Sequence, residues 1–154
     1  MEDIPYNKRT NYCLTWEASG ILITNTEGVI EINPILKINQ IGVPVKDLER
    51  AIVFYQSLHL PLLFSTDTMA FFDCNGTRLL LSLPEKKAFA HPSSVVYFQV
   101  EHISKAYDDY QKIGVSFIDE PHLVAKMGAK ETWMAFFNDT EGNIHALMSE
   151  VESE

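Results

Sequence analysis

The chain has 154 residues, 46% of them hydrophobic and 21% charged, enough to bury one self-sufficient core, so a single globular domain is the default expectation. A formal net charge of -9 opposes nonspecific binding to nucleic acid or to an anionic membrane, because the summed field repels phosphates, and it attracts a cationic small molecule instead. No run approaches the roughly 18 apolar residues of a membrane span, Met1-Glu2-Asp3-Ile4-Pro5 lacks the basic and apolar regions of a signal peptide, and Cys13 and Cys74 have no zinc-like spacing, so a reduced cytoplasmic chain is expected.

Residues 1–37 form an N-terminal extension in which Gly20 to Pro34 reads as two β-rich runs joined by Asn25-Thr26-Glu27-Gly28, a hairpin. Ile41, Val43 and Val45 alternate as one face of a strand. Asp47 then stands as an N-cap before the helical stripe Leu48, Ala51, Ile52 and Tyr55. Asp73-Cys74-Asn75-Gly76 between apolar runs signals a hairpin turn, and Glu85, Lys86 and Lys87 after Pro84 read as a linker. Val96, Phe98 and Val100 begin a second alternating strand, followed by the weaker cap His102 and a stripe of Ile103, Ala106, Tyr107 and Tyr110. Lys126 to Thr132 reads as a loop with a glycine hinge, on balance a solvated connector, before the aromatic strand Trp133 to Phe137. Asp139-Thr140-Glu141-Gly142 repeats the earlier turn, and Glu150, Glu152 and Glu154 lie in an acidic tail, residues 150–154.

These elements occur twice. Ile41 to Leu60 aligns without a gap on Val96 to Val115, matching Val45 with Val100, Ala51 with Ala106, Tyr55 with Tyr110 and Gln56 with Gln111. The later halves also align, Phe71, Asp73, Gly76 and Leu81 falling on Phe137, Asp139, Gly142 and Leu147. The reading is an α+β domain over 38–149 built of two tandem βαβββ modules, about 38–84 and 93–149.

The run Gln40-Ile41-Gly42-Val43-Pro44-Val45-Lys46-Asp47-Leu48-Glu49-Arg50-Ala51-Ile52-Val53-Phe54-Tyr55 and the turn Phe137-Asn138-Asp139-Thr140-Glu141-Gly142-Asn143 resemble the vicinal oxygen chelate superfamily, which includes glyoxalases, bleomycin-resistance proteins and extradiol dioxygenases. Thr140 stands where that family's turn usually has proline. The resemblance implies a cup-shaped mixed sheet with helices on its outer face, a ligand cavity inside, and a homodimer. It also implies four metal-ligand positions, which fall here on Gln40, Leu80, Val95 and Ala146. Only Gln40 has a donor atom, so no family-type metal and no other cofactor is expected.

By strand parity Gln40, Val95, Tyr97 and Gln99 face the cup, and Trp133, Met134 and Phe136 are candidates to line it. His145 reads as a surface or interface histidine, and His59, His91, His102 and His122 fall at a helix end, a linker, a cap and a loop. Neither cysteine has a neighbouring base. The leading expectation is a protein that binds a small organic ligand without a metal, by sequestration. The alternatives are a metal-dependent lyase, isomerase or dioxygenase of the same superfamily, and a structural or regulatory module whose cup is filled by its own side chains.

Overall fold

A computed structural model of the protein describes residues 13–17, 20–25, 28–30 and 35–152. The chain divides into two units, with the boundary after Lys37. In the first, β1 (Cys13–Glu17), β2 (Gly20–Asn25) and β3 (Gly28–Ile30) form an antiparallel sheet in chain order. The remainder of the sequence-expected hairpin, up to Pro34, lies outside the described residues.

The second unit opens with β4 (Gln40–Pro44) and α1 (Leu48–Ser57). Asp47 caps α1 by accepting from the Arg50 backbone N–H at 3.0 Å, so the chain turns from strand to helix with an orphan amide satisfied. β5 (Leu62–Ser65), β6 (Met69–Cys74) and β7 (Thr77–Ser82) follow, giving a four-stranded sheet of order β4-β7-β6-β5. β4 and β7 are parallel and the other pairs antiparallel. The β6–β7 turn needs two left-handed residues, supplied by Asn75 (φ 50°) and Gly76 (φ 89°).

The same order recurs in the second sheet. β8 (Val96–Gln99), α2 (Ile103–Lys112), β9 (Ser116–Phe117), β10 (His122–Met127), β11 (Lys130–Asn138) and β12 (Ile144–Glu152) arrange as β10-β11-β12-β8, with β9 paired to β11. Again the first and last strands are parallel neighbours. The fold is therefore α+β with two mixed sheets.

Alternation sorts each sheet into two faces. Val43 and Val45, Ala70 and Phe72, and Leu79 and Leu81 are buried beneath α1, which contributes Leu48, Ala51 and Tyr55. Ala135, Phe137 and Leu147 occupy the equivalent face of the second sheet, with Ile103 of α2. One core joins both modules, since Phe54 of α1 meets Phe137 of β11 with ring centroids 6.5 Å apart. Burying a side chain such as Phe72 or Phe137 contributes roughly 1.5–3 kcal/mol. Among the described residues, the opposite face of each sheet carries no helix.

Two expectations for the second module change. Residues 126–132 are not a connecting loop: Met127 pairs with Lys130, and a tight turn at Gly128 (φ 64°) closes a β10–β11 hairpin. β12 runs on to Glu152, with Glu150 opposite Thr132 and its carboxylate 2.8 Å from the Lys130 ammonium, so residues 150–152 belong to the sheet.

Candidate functional site

The register assembles a surface on the helix-free side of the second sheet. Tyr97 of β8 lies opposite Ala146 of β12, which lies opposite Phe136 of β11. The next row runs Gln99, Met148, Met134 and His122 across β8, β12, β11 and β10. Directly opposed residues share a face, so these seven side chains form one continuous wall. Its floor is apolar: Ala146 is fully buried, and Tyr97 and Phe136 meet edge to face with centroids 6.4 Å apart. Tyr97 nevertheless stays 50% exposed.

The first sheet offers a matching face. Gln40 stands opposite Arg78, and Gly42, Leu80, Phe71 and Phe64 form the adjoining row. Phe64 and Phe71 stack with centroids 4.4 Å apart, and Phe64 is 53% exposed. The two modules meet at the C-terminal end of each first strand. The Asn143 side-chain amide donates to the Pro44 carbonyl at 3.0 Å, beside the C-terminal end of β4, while Gln99 and Val100 at the end of β8 share a small cavity with Cys74 of the first hairpin.

Of the side chains expected to line the cup, Gln40 lies on the helix-free side of the first sheet, and Tyr97, Gln99, Met134 and Phe136 share that of the second. Trp133 does not join them. It alternates with Met134, lies on the helix side with Ala135 and Phe137, packs against the core, and donates its indole N–H to Glu131 at 3.3 Å. His122, Ala146 and Met148 complete the wall. The strand signal for His122 was available: His122 to Met127 is a strand-length run bounded by Pro121 and Gly128.

The residues at the family's metal positions do not fit a metal ion. Leu80, Val95 and Ala146 have only carbon side chains, and the Gln40 amide is a single weak donor. Among the described residues no three His, Cys, Asp or Glu side chains are grouped to hold a metal. The Cys74 thiol is free, and burial together with Asp73 pushes its pKa up, which disfavours the thiolate.

His145 is not a surface residue. It is completely buried on the helix side of β12, where Leu147 shares its parity. The Val96 backbone N–H donates to His145 Nδ1 at 3.3 Å, so in the neutral ring the proton sits on Nε2, which lies 2.9 Å from the Tyr55 hydroxyl. Tyr55 in turn donates to Asp139 Oδ2 at 2.9 Å. Asp139 Oδ1 accepts from the backbone N–H groups of Glu141 and Asn143, each at 2.8 Å. Burial pushes the Asp139 carboxyl up, but the nearby His145 ring and the donors Asn143 and Tyr55 outweigh it and hold the carboxyl at about 2. The same burial, with the Asp139 charge, raises the Tyr55 phenol far above its ordinary value.

Glu141 extends this junction. Its carboxylate accepts from the Lys46 and Asp47 backbone N–H groups at 2.7 and 2.9 Å and meets Arg50 at 2.8 Å. Burial raises the carboxyl, and these donors together lower it below the usual range. Tyr55, Asp139 and His145 are enclosed in the core while Arg50 at its edge is half exposed, and the chemistry of the network is that of a clamp between modules.

Comparison with known proteins gives a consistent picture. The sequence model of the glyoxalase/bleomycin resistance protein/dioxygenase superfamily matches residues 37–147. YraH of Bacillus subtilis (strain 168) is 32% identical over 124 residues, covering 71% of this chain and 94% of that protein. A superfamily member from Sphaerobacter thermophilus DSM 20745 superposes with a TM-score of 0.62 at 21% identity, over 75% of this chain and 98% of its own. A virulence protein from Salmonella typhimurium gives 0.63 at 19% identity, over 77% and 100%. At these identities the structural likenesses speak to the fold alone.

Proposed function

Since the chain belongs to the glyoxalase/bleomycin resistance protein/dioxygenase superfamily, we propose that it holds a small organic ligand against the helix-free faces of its two sheets, without a metal ion, and acts by sequestration. The observation that carries this reading is the wall of Tyr97, Ala146, Phe136, Met134 and Met148, edged by the amide of Gln99. It combines a broad apolar and aromatic area with a few polar groups at its margin, the pattern by which small-molecule sites bind through shape and a few hydrogen bonds. Side chains without lone pairs at three of the four family metal positions supply no means of activating water or polarising a carbonyl there. The net charge of -9 favours a cationic ligand. A second copy of the chain covers the exposed apolar side chains, among them Leu123, Val124 and Met127 of β10, and the protein works as a cytoplasmic homodimer.

The test is mass spectrometry of the compound that copurifies with the native protein, together with metal analysis after incubation with nickel, zinc, iron or manganese. The expected result is a defined organic compound, lost in Phe136→Ala, and no stoichiometric metal. Stoichiometric metal that disappears in Gln40→Ala would instead establish the metal-dependent reading. Sedimentation of the full chain is expected to give a dimer, and a monomer at all concentrations would remove that part of the proposal.

A further inference from the structure

His122 has the geometry of a polar anchor. It opens β10 opposite Met134, which puts its side chain on the wall described above, with the imidazole against Phe136 at a centroid distance of 6.3 Å and an interplanar angle of 27°. Nδ1 lies 3.0 Å from the Glu120 carbonyl oxygen. A carbonyl only accepts, so Nδ1 carries the proton and the neutral ring presents an unshared pair on Nε2. The Asp119 carboxylate, itself held by the Phe136 backbone N–H at 2.6 Å, lies 3.8 Å from the same Nδ1 and reinforces that orientation. The ring is thus fixed on its protein side, while its side chain keeps 46% exposure.

Tyr97 flanks Phe136 from the other direction, with the methyl group of Ala146 between their strands. From β8 to β10 is three strand spacings, about 14 Å, and Phe136 stands between the Tyr97 and His122 side chains, so a flat ring lying over Phe136 is bordered by both. We propose that His122 is a specificity-determining residue of this site, accepting through Nε2 a hydrogen bond from a flat aromatic ligand that carries a hydroxyl or N–H donor and stacks on Phe136. This inference rests on the ligand-binding reading of the same face.

The full chain is titrated by calorimetry with 2-naphthol and with 2-methoxynaphthalene, which differ in whether the oxygen can donate. Wild-type protein is expected to bind the naphthol about tenfold more tightly, the upper size of one net hydrogen bond. His122→Phe keeps a stacking ring and loses Nε2, so it is expected to erase that preference while still binding 2-methoxynaphthalene, which also reports that the variant is folded. Phe136→Ala is expected to weaken both probes. Equal affinity of the wild type for the two probes, or a preference that survives in His122→Phe, overturns the role of His122 alone. Binding of neither probe by the wild type overturns this proposal together with the reading beneath it.

Discussion

The two modules share a strand order, a helix stripe and a turn aspartate, yet they are locked by different chemistry. In the second turn Asp139 gathers the Glu141 and Asn143 amides and the Tyr55 hydroxyl inside the core. In the first, among the described residues, Asp73 accepts from the Gly76 N–H alone, at 3.0 Å and near solvent. His145 occupies the place that Leu79 fills with carbon, and both are buried. Tyr110, the counterpart of Tyr55, is only partly buried and reaches the Leu58 carbonyl at a long 3.5 Å. One scaffold thus tolerates a polar or an apolar plug at the same point, provided that every buried polar atom finds its partner. The polar version also bridges modules, because Glu141 holds the amides ahead of α1.

The sharpest break in this asymmetry is Asp139→Ala against Asp73→Ala. The first strips a buried network of its common acceptor and is expected to cost about 3–5 kcal/mol, whereas the second removes one exposed turn bond and is expected to cost about 1 kcal/mol or less. Urea unfolding monitored by circular dichroism measures both, and equal losses would mean that the Asp139 junction is no more than a turn.

Acid titration should expose the same carboxylate. Its folded pKa, about 2, lies below the unfolded value, so its contribution is fully present above about pH 4 and is lost as the pH falls toward 2. The shift corresponds to about 2–3 kcal/mol, and an Asp139→Asn variant should lose much of this acid dependence. An unchanged pH profile in that variant would locate the acid sensitivity elsewhere.

Tyr55→Phe leaves the buried His145 Nε2–H without an acceptor and should cost about 1–3 kcal/mol, while Tyr110→Phe should stay within about 0.5 kcal/mol. Thermal unfolding of the pair checks the contrast. The smallest effect belongs to the helix starts. Asp47 caps α1 with its side chain and His102 gives α2 no such bond, so His102→Asp should stabilise the protein by about 0.5–1 kcal/mol. A loss of stability in that variant would show that His102 has a role other than capping.

Much of the architecture was legible because it rests on local periodicity. The alternation of Ile41, Val43 and Val45, the stripe of Leu48, Ala51 and Tyr55, and the Asn75-Gly76 turn each follow from chain geometry within a few residues. The parity that sets Tyr97 and Gln99 apart from the helix side is legible for the same reason, whereas both faces of the strand from Trp133 to Phe137 are carbon-rich and parity alone leaves its inner face open. Trp133 has the aromatic character of a cup-lining residue, yet its place in the alternation with Ala135 and Phe137 sets it against the core. The hairpin at Gly128 is not legible in the sequence because polar Lys126, Lys130 and Glu131 resemble a solvated connector, although strand pairing holds them.

By itself, then, the sequence determined the repeated order of strands and helices, the side of each strand that faces carbon, and the carbon-only side chains at Leu80, Val95 and Ala146. Only the tertiary structure decided which distant groups meet. Tyr55 and Asp139 are 84 residues apart, and Tyr55 and His145 are 90 apart, yet they form one chain of hydrogen bonds. No local pattern encodes such a meeting, because it depends on register and on how two modules close over one core. The same closure buries His145, and strand register sets His122 on the wall beside Phe136.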